Sequence, residues 1–235
     1  MTNFNDVVSQ FHIEGTVESV SPIGNGLINE TLRVKTVDAN TPDYILQRIN
    51  NAIFTDVDLL QHNIELVTDH IRHKLMEKGE TDIERKCLRF VQAKDGKTYY
   101  KDADNLYWRV SVFIPNAVTK EEVNPESAFC CGETFGNFQN MLVDLKEPLG
   151  ETIPDFHNME LRLRQLREAV SADKTGRVAS VKDMIAELES YADEMCLAER
   201  LYREGALPKR ICHCDTKVNN MMFDKDGKVL CVIDL

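Results

Sequence analysis

Apolar and polar residues alternate in short runs through the first half of the chain, a pattern typical of half-buried β-strands. The runs cover residues 14–20, 31–36, 44–49, 87–93, 98–100 and 106–114. The first two flank the turn-rich segment 21–30, and two strands joined by a glycine-bearing turn predict a hairpin, beside which the third run can pair. An Asp-Gly pair within 94–97 predicts a second hairpin, between the runs 87–93 and 98–100. We therefore expect an antiparallel sheet in this half of the chain.

A different spacing predicts helices elsewhere. Between Asp56 and Lys74, apolar residues recur every three or four positions, at 57, 60, 64, 67 and 71, as in an amphipathic helix. The same periodicity covers residues 125–145, 159–170 and 178–205. Near the end of the sequence, two short strands are predicted on either side of the turn at 224–227, and they cover 209–214 and 228–234.

The order of these elements predicts an α+β chain with two lobes. Residues 1–114 are expected to form a mostly β lobe with one helix, and residues 123–235 a mostly helical lobe. The connector at 115–122 begins where Pro115 ends the last strand of the first lobe. The sequence stops directly after the apolar run VLCVIDL, so we expect a truncated chain that lacks part of its second lobe.

Composition and charge narrow the class of protein. The 235 residues are 43% hydrophobic and 29% charged, which is the balance of a globular protein. A net charge of -11 argues against a nucleic-acid partner and against attachment to anionic lipid, because both require a surplus of Lys and Arg. The sequence shows no secretory signal and no long apolar stretch. Seven irregularly spaced cysteines indicate reduced thiols and a cytoplasmic protein.

The strongest chemical signal is the pattern H-x-D-x-x-x-x-N at His213–Asn220, followed by an apolar strand that ends in Asp234. Phosphoryl transfer uses one carboxylate near the attacking hydroxyl and further oxygen ligands for Mg²⁺ on the nucleotide. With this spacing Asp215 can face the acceptor, while Asn220 and Asp234 can bind the metal. Alternatively, the first two are turn residues and the third caps a helix. The occurrence of all three in this order favours the kinase interpretation.

Blocks distributed over nearly the whole chain resemble a known family. They are GNGLINETLRV (24–34), YILQRIN (44–50), NIELVTDHI (63–71), WRVSVFI (108–114), FGNFQNMLVDL (135–145), IPDFHN (153–158) and CDTKVNNMMFD (214–224). With them the chain resembles the aminoglycoside phosphotransferase-like family of small-molecule kinases, which have the protein-kinase fold, and it is most similar to the N-acetylhexosamine 1-kinases of that family. The resemblance implies Mg²⁺, ATP as cosubstrate, and phosphate transfer to the anomeric hydroxyl of an N-acetylhexosamine.

The same resemblance implies roles for the residues of the motif. Asp215 is implied as the catalytic base or as the group that orients the acceptor hydroxyl, and Asn220 and Asp234 are implied as the Mg²⁺ ligands. Lys217 can reach the transferring phosphate, although a solvated surface lysine is an equally good interpretation. His213 is expected to support the loop through hydrogen bonds.

On the nucleotide side, the resemblance implies a loop over the phosphates at Gly24, Asn25, Gly26 and Asn29. Glycines allow a backbone to approach phosphates closely, although hairpin turns use the same residue types. Adenine is expected to hydrogen-bond the connector backbone near Phe113. Backbone contacts leave little trace in the choice of side chains, so this expectation follows from position alone.

The third strand departs from the family's pattern. Kinases of this fold place a lysine there to hold the α- and β-phosphates, paired with a glutamate of the next helix. The run YILQR contains no lysine, so by register Gln47 takes its place and Arg48 points to the other face. Glu65, on the following helix, is the expected partner of Arg48 or of the nucleotide site. Either the phosphate contact is made differently, or the register is shifted by one residue.

Two further functions stay open. The acceptor can instead be an aminoglycoside, an amino alcohol or another sugar, since an acidic lobe suits a cationic acceptor. The chain can also be an inactive, nucleotide-binding relative, because we expect a chain that stops at Leu235 to lack much of its acceptor site. A metal–thiolate site at Cys212-His213-Cys214 is not expected, since the sequence offers no second cluster of ligands.

Overall fold

Strands in the first half of the chain form one antiparallel sheet in the computed structural model, which describes residues 3–24 and 29–235. The strands are β1 (Val17–Pro22), β2 (Glu30–Thr36), β3 (Tyr44–Ile49), β4 (Phe90–Val91), β5 (Tyr100–Lys101) and β6 (Tyr107–Val112). Their order is β1-β2-β3-β6-β4, and β5 also pairs with β6. The predicted hairpin and its third strand are confirmed. The hairpin predicted around 94–97 is wrong, because the strands on either side of it, β4 and β5, each pair with β6 and not with each other.

The two faces of this sheet pack against different helices. On one face, Leu46 and Val110 lie in a core with Trp108 and with the N-terminal helix α1 (Phe4–Val8). On the other face, Ile49 packs against the long helix α2 (Val57–Glu77). Successive residues of a strand point to opposite faces, so the alternation along β3 supplies side chains to both cores.

Helix α1 is absent from the sequence-based prediction. It has only 5 residues, too few to show a helical periodicity. The side chain of Asn3 accepts a hydrogen bond from the backbone N–H of Asn5, which caps the helix. The ring of Phe4 packs edge-on against Trp108, with ring centroids 5.9 Å apart. Burial against the sheet, rather than intrinsic helix propensity, therefore stabilises this short element.

Helix α2 is confirmed and ends at Glu77, beyond the predicted end at Lys74. The side chain of Asp56 accepts a hydrogen bond of 2.9 Å from the backbone N–H of Leu59 and so caps the first turn. All of the predicted apolar positions are buried: Val57, Leu60, Ile64, Val67 and Ile71. The buried stripe also contains Gln61, a polar residue whose partners matter for the site described below.

A second, two-stranded sheet lies near the end of the chain. It consists of β7 (Met221–Phe223) and β8 (Val229–Val232), which follow the 3₁₀ turn Val218–Asn220. The hairpin packs against the helix α4 (Pro125–Met141), which follows the short helix α3 (Ile83–Lys86). Their shared core consists of buried residues from all three segments: Phe135, Val218, Met221 and Phe223.

The predicted strand at 209–214 is wrong, because the structure has no strand there. The strand that pairs with β8 is β7, immediately before the turn at 224–227. The outer edge of β7 is occupied by Val118, which exchanges two backbone hydrogen bonds with Phe223, of 2.9 and 2.8 Å. With both edges of Phe223 in use, the alternating run at 209–214 has no place in this small sheet.

Residues 153–210 form a compact unit of their own, while residues 1–152 and 211–235 form the other. The smaller unit contains helices α5 (Met159–Ala172), α6 (Lys182–Ser190), α7 (Ala192–Met195) and α8 (Leu197–Arg203), with a 3₁₀ turn at Val178–Val181. The predicted helix at 178–205 is interrupted at Tyr191 and Cys196, whose ψ angles lie near 0°, outside the helical range.

Capping and ion pairs organise the smaller unit. The side chain of Asn158 accepts a hydrogen bond of 3.0 Å from the backbone N–H of Leu161 and begins α5. Exposed ion pairs join α5 to the later helices: Arg167–Glu189 at 2.6 Å and Arg203–Glu160 at 2.7 Å. Each such pair contributes at most about 1 kcal/mol, because exposed charges are well screened.

The α+β fold class is confirmed, with an antiparallel N-terminal sheet and a helical C-terminal region. The predicted lobes at 1–114 and 123–235, with their connector at 115–122, describe a different division from the two compact units and stay a prediction. Within the described ranges, no helix has both the length and the apolar character needed to cross a membrane.

Candidate active site

The loop from Asp215 to Asn220 closes on itself. The side-chain Nδ2 of Asn220 donates to the backbone carbonyl and to the carboxylate Oδ2 of Asp215, both at 2.9 Å. Two backbone bonds of 3.0 Å tighten the turn, from the N–H of Lys217 to the carbonyl of Asp215 and from the N–H of Asn220 to the carbonyl of Lys217. The motif spacing thus brings the two functional side chains into direct contact.

The side chain of Lys217 completes this loop. Its ammonium Nζ lies 2.7 Å from Oδ2 of Asp215, and both side chains are about half exposed. Burial by itself would raise the pKa of Asp215, but hydrogen bonds from Lys217 and Asn220, and the nearby positive charge, hold that pKa below its ordinary value. Asp215 is therefore a carboxylate at neutral pH, in a position to accept a hydrogen bond from a hydroxyl group.

His213 ties the loop to the segment that carries Asp234. Its ring nitrogen Nε2 lies 2.8 Å from the backbone carbonyl of Ile233, and its ring packs edge-on against Phe135 and Phe138 of α4. The backbone N–H of Ile233 donates at 2.9 Å to the carbonyl of Asn220. Asp234 is the next residue, so the hairpin returns it to the end of the motif loop. The expected structural role of His213 agrees with these contacts.

The donor set at this position fits a magnesium ion. Because Nδ2 of Asn220 is engaged with Asp215, the amide oxygen Oδ1 is left for another partner. Asp234 is exposed and forms no ion pair with any described residue. Mg²⁺ prefers oxygen ligands and takes one or two protein groups, completing its shell with phosphates and water. Among the described residues no cluster of three or more His, Cys, Asp or Glu side chains forms a metal site of another kind.

The predicted phosphate loop is described only at its two ends. Gly24 has a φ of +73°, in the left-handed region that favours glycine, and it is exposed. Asn29 accepts a hydrogen bond of 3.0 Å at Oδ1 from the backbone N–H of Asn50, which fixes the end of the loop to the end of β3. Asn25 and Gly26 lie outside the described residues.

The residues of β3 have different partners from those expected. Arg48 forms an ion pair of 3.2 Å with Glu30 of β2, its direct cross-strand neighbour. Glu65 is half-buried on α2 and forms no ion pair with a described residue, so the structure does not join it to Arg48. Gln47 lies on the α2 face, where Nε2 donates to the hydroxyl of Thr31 at 3.2 Å.

Phe113 follows the end of β6 and is held on both sides. Its backbone N–H donates at 2.9 Å to the carbonyl of Asp43. The guanidinium of Arg33 lies over its ring, 4.3 Å from the centroid. The N–H of Phe113 is thus engaged within the protein, so an adenine contact at this residue would use its carbonyl or its ring.

Sequence reasoning missed Arg109 and Gln61. Arg109 is only 3% exposed and Gln61 only 2%. The guanidinium donates from Nε to Oε1 of Gln47 at 3.0 Å and from Nη1 to Oε1 of Gln61 at 3.4 Å. One signal was available: an arginine in the middle of the apolar run LYWRVSVFI, beside the strand position that lacks a lysine.

Solved structures share this fold at low sequence identity. An aminoglycoside phosphotransferase from Alicyclobacillus acidocaldarius is 19% identical, with a TM-score of 0.53 over 100% of this chain and 65% of that one. A spectinomycin phosphotransferase solved with ADP and spectinomycin is 10% identical, with a TM-score of 0.57 over 100% and 68%. An amicoumacin kinase solved with AMP-PNP and Ca²⁺ is 16% identical, with a TM-score of 0.56 over 98% and 62%.

The chain thus spans 62–68% of the length of these three proteins. Identities of this size show that the fold is the kinase-like one of these phosphotransferases. A sequence model of the family described as "Phosphotransferase enzyme family" matches residues 19–235, which is most of the chain. This chain therefore belongs to the phosphotransferase enzyme family.

Proposed function

We propose that the protein is a small-molecule kinase, which transfers the γ-phosphoryl group of ATP to a hydroxyl group of its acceptor. The observation that carries this proposal is the contact between Asp215 and Asn220. The backbone of Asn220 also bonds to Ile233, the residue that precedes Asp234. A protein catalyses phosphoryl transfer mainly by positioning the substrates and by neutralising charge. One oriented carboxylate and two further oxygen ligands in adjacent segments meet that need.

In this proposal Asp215 orients the acceptor hydroxyl. Its lowered pKa makes it a weak base, which suits a loose transition state in which the attacking hydroxyl keeps its proton until late. Lys217, beside it, offers a positive charge to the transferring phosphoryl group. Asn220 and Asp234 would hold Mg²⁺, and the bound metal would neutralise charge on the nucleotide phosphates.

The nucleotide would lie against the sheet. Gly24, Asn25, Gly26 and Asn29 would form the loop over the phosphates, and adenine would lie near Phe113. The proposal includes a cytoplasmic location, because seven cysteines at irregular spacings are typical of a protein from a reducing compartment.

The acceptor we favour is an N-acetylhexosamine, phosphorylated at its anomeric hydroxyl. Support comes from the sequence blocks that resemble N-acetylhexosamine 1-kinases, among them YILQRIN and CDTKVNNMMFD. An aminoglycoside or an amino alcohol is the second candidate, favoured by the net charge of -11 and by the fold shared with a spectinomycin phosphotransferase. An inactive, nucleotide-binding relative is the third.

A single assay separates these candidates. The whole protein, as the cell makes it, is incubated with Mg²⁺ and ATP and a panel of sugars, aminoglycosides and amino alcohols, and ADP release is measured. Release with N-acetylglucosamine or N-acetylgalactosamine alone supports the sugar kinase. Release with amines alone supports the second candidate. Thermal stabilisation by ATP without turnover on any acceptor identifies the inactive relative.

A further inference from the structure

A buried guanidinium lies beside the strand position that lacks the kinase lysine. Gln47 of β3 and Arg109 of β6 are direct cross-strand partners, and Nε of Arg109 donates to Oε1 of Gln47 at 3.0 Å. Arg109 is 3% exposed, so its charge lies inside the protein rather than in solvent. Cross-strand partners present their side chains on the same face of a sheet, so the positive charge occupies the space that a lysine at 47 would reach.

The side-chain partners of Arg109 are neutral amides. Its Nη1 donates to the side-chain carbonyl of Gln61 and to the backbone carbonyl of Leu235, each at 3.4 Å. No Asp or Glu side chain of the described residues forms an ion pair with Arg109. A buried charge without a counter-ion is costly, and proteins rarely retain one that no partner compensates. Asp234 acts on Arg109 through space but forms no hydrogen bond or ion pair with it, so the arrangement favours a further anion at this place.

The position of Arg109 points to the nature of that anion. Leu235, which accepts one of its hydrogen bonds, directly follows Asp234, the proposed metal ligand. Burial lowers the pKa of Arg109 to about 10, while the negative charge of Asp234 opposes that effect, so the group stays cationic at neutral pH. The cation thus lies within electrostatic reach of the place where a metal–phosphate complex would bind.

We propose that Arg109, supplied by β6 and held by Gln47 and Gln61, replaces the third-strand lysine as the cation that positions the nucleotide phosphates. This inference rests on the proposed function. Gln61 takes the place of the helix glutamate that normally pairs with that lysine. Because an amide holds the guanidinium without neutralising it, the whole positive charge is available to the phosphates.

The inference explains two departures from the kinase pattern together. A lysine on β3 would place a second cation beside Arg109, and a glutamate at Gln61 would cancel its charge. Two amides at these positions instead accept hydrogen bonds from Nε and Nη1 of Arg109 without cancelling its charge. The exposed pair between Arg48 and Glu30 has no part in this arrangement.

The test compares binding of Mg²⁺–ADP with binding of adenosine, which lacks phosphates, by titration calorimetry on the whole protein. Gln61→Glu keeps the arginine and adds a carboxylate beside it, but it loses the two hydrogen bonds that Nε2 donates to Thr98, so a melting curve checks that the variant is folded before it is titrated. We expect its affinity for Mg²⁺–ADP to fall about tenfold or more, since a unit charge is removed from a poorly screened site. Its affinity for adenosine should be unchanged. Gln92→Glu, at an exposed position, is the matched control and should bind both ligands as the wild type does.

A second pair of variants removes the charge directly. Arg109→Gln should lose affinity for Mg²⁺–ADP by at least the same factor, and Arg109→Lys should recover part of it. Arg72→Gln, which breaks an ion pair with Glu84 on another surface of α2, controls for loss of stability. Equal weakening of ADP and adenosine, or unchanged ADP affinity in Gln61→Glu, would overturn the inference. Failure of the wild type to bind either ligand would overturn the proposed function itself.

Discussion

Two polar clusters of this protein are held in opposite ways. In the motif loop, the side chains of Asp215 and Lys217 are half exposed and that of Asn220 is buried, and their contacts lie within the short segment 215–220. The cluster around Arg109 is buried, and its contacts join four segments that are far apart in sequence. The loop can therefore form from local interactions, whereas the buried cluster requires the sheet, α2 and the end of the hairpin together.

This difference predicts which variants lose only activity and which also lose stability. Exposed groups can be exchanged with little effect on folding, because water replaces the lost contacts. Buried polar groups leave unsatisfied partners when they are removed, and the penalty falls on the folded state. We therefore expect variants of the exposed loop residues Asp215 and Lys217 to lose turnover and keep their stability, and variants of the buried cluster to lose both.

The largest effect is expected for Asp215→Asn. The amide keeps the size of the side chain but removes the charge that orients the acceptor hydroxyl. Turnover should fall about 10²–10⁴-fold, the usual contribution of such a group. The midpoint of thermal unfolding should move little, since the exposed pair with Lys217 contributes at most about 1 kcal/mol. ADP release and a melting curve on the same sample measure both quantities, and a large loss of stability would contradict the contrast drawn above.

Next in size is the effect of Gln61→Leu. Nε2 of Gln61 donates to the backbone carbonyl and the hydroxyl of Thr98, both at 3.1 Å, and Oε1 accepts from Arg109. Leucine keeps the volume but leaves these groups without a partner, at a cost of about 1–3 kcal/mol. Urea denaturation measures the loss. Gln92→Leu is the exposed control and should be close to neutral, and equal stability of both variants would refute the role given to burial.

A smaller effect is expected on the pH dependence of Lys217→Met. Hydrogen bonding and charge from Lys217 lower the pKa of Asp215, so removing the ammonium raises that pKa. The active form of Asp215 is deprotonated, so the acidic limb of the kcat/KM profile should move to higher pH. The alkaline side should keep its position. Profiles of wild type and variant from mildly acidic to neutral pH test the shift, and a limb that moves to lower pH would contradict the assignment.

The smallest effect concerns the other face of β3. Arg48 and Glu30 are 44% and 41% exposed, and their atoms lie 3.2 Å apart. A double-mutant cycle with Arg48→Gln and Glu30→Gln should give a coupling energy of about 0.2–1 kcal/mol in the free energy of unfolding. The coupling should weaken further at high salt. A coupling energy as large as the stability lost in Gln61→Leu would contradict the expectation that exposed polar contacts contribute less than buried ones.

The same contrast decides what could be predicted from the sequence. Asp215 and Asn220 are five positions apart, so their contact could be predicted from their spacing in the sequence. The predicted bounds of β3, 44–49, agree with the structure, because the burial of its residues follows their position on the two faces of the sheet. Arg109 and Gln47 belong to different strands, and Gln61 to a helix, so no spacing connects them. Their meeting depends on the register between β3 and β6.

Local patterns also misled at two places. The alternation at 209–214 resembles that of a strand, but a strand needs a partner, and β7 is already bonded on both edges. Glu65 is predicted as the partner on α2, whereas the structure places Gln61, one turn earlier on the same side of the helix, beside Arg109. Charge alone could not show that the protein would use a neutral partner.

The backbone pair between Val118 and Phe223 has a consequence for the order of folding. These residues are far apart in sequence, so their pairing closes a long loop, and the entropy of that closure opposes it until other parts are in place. The hairpin that carries Asp234 is therefore expected to gain its full protection against amide hydrogen exchange later than the β2–β3 pair during refolding. Nucleotide affinity would then appear last, after the sheet has already formed.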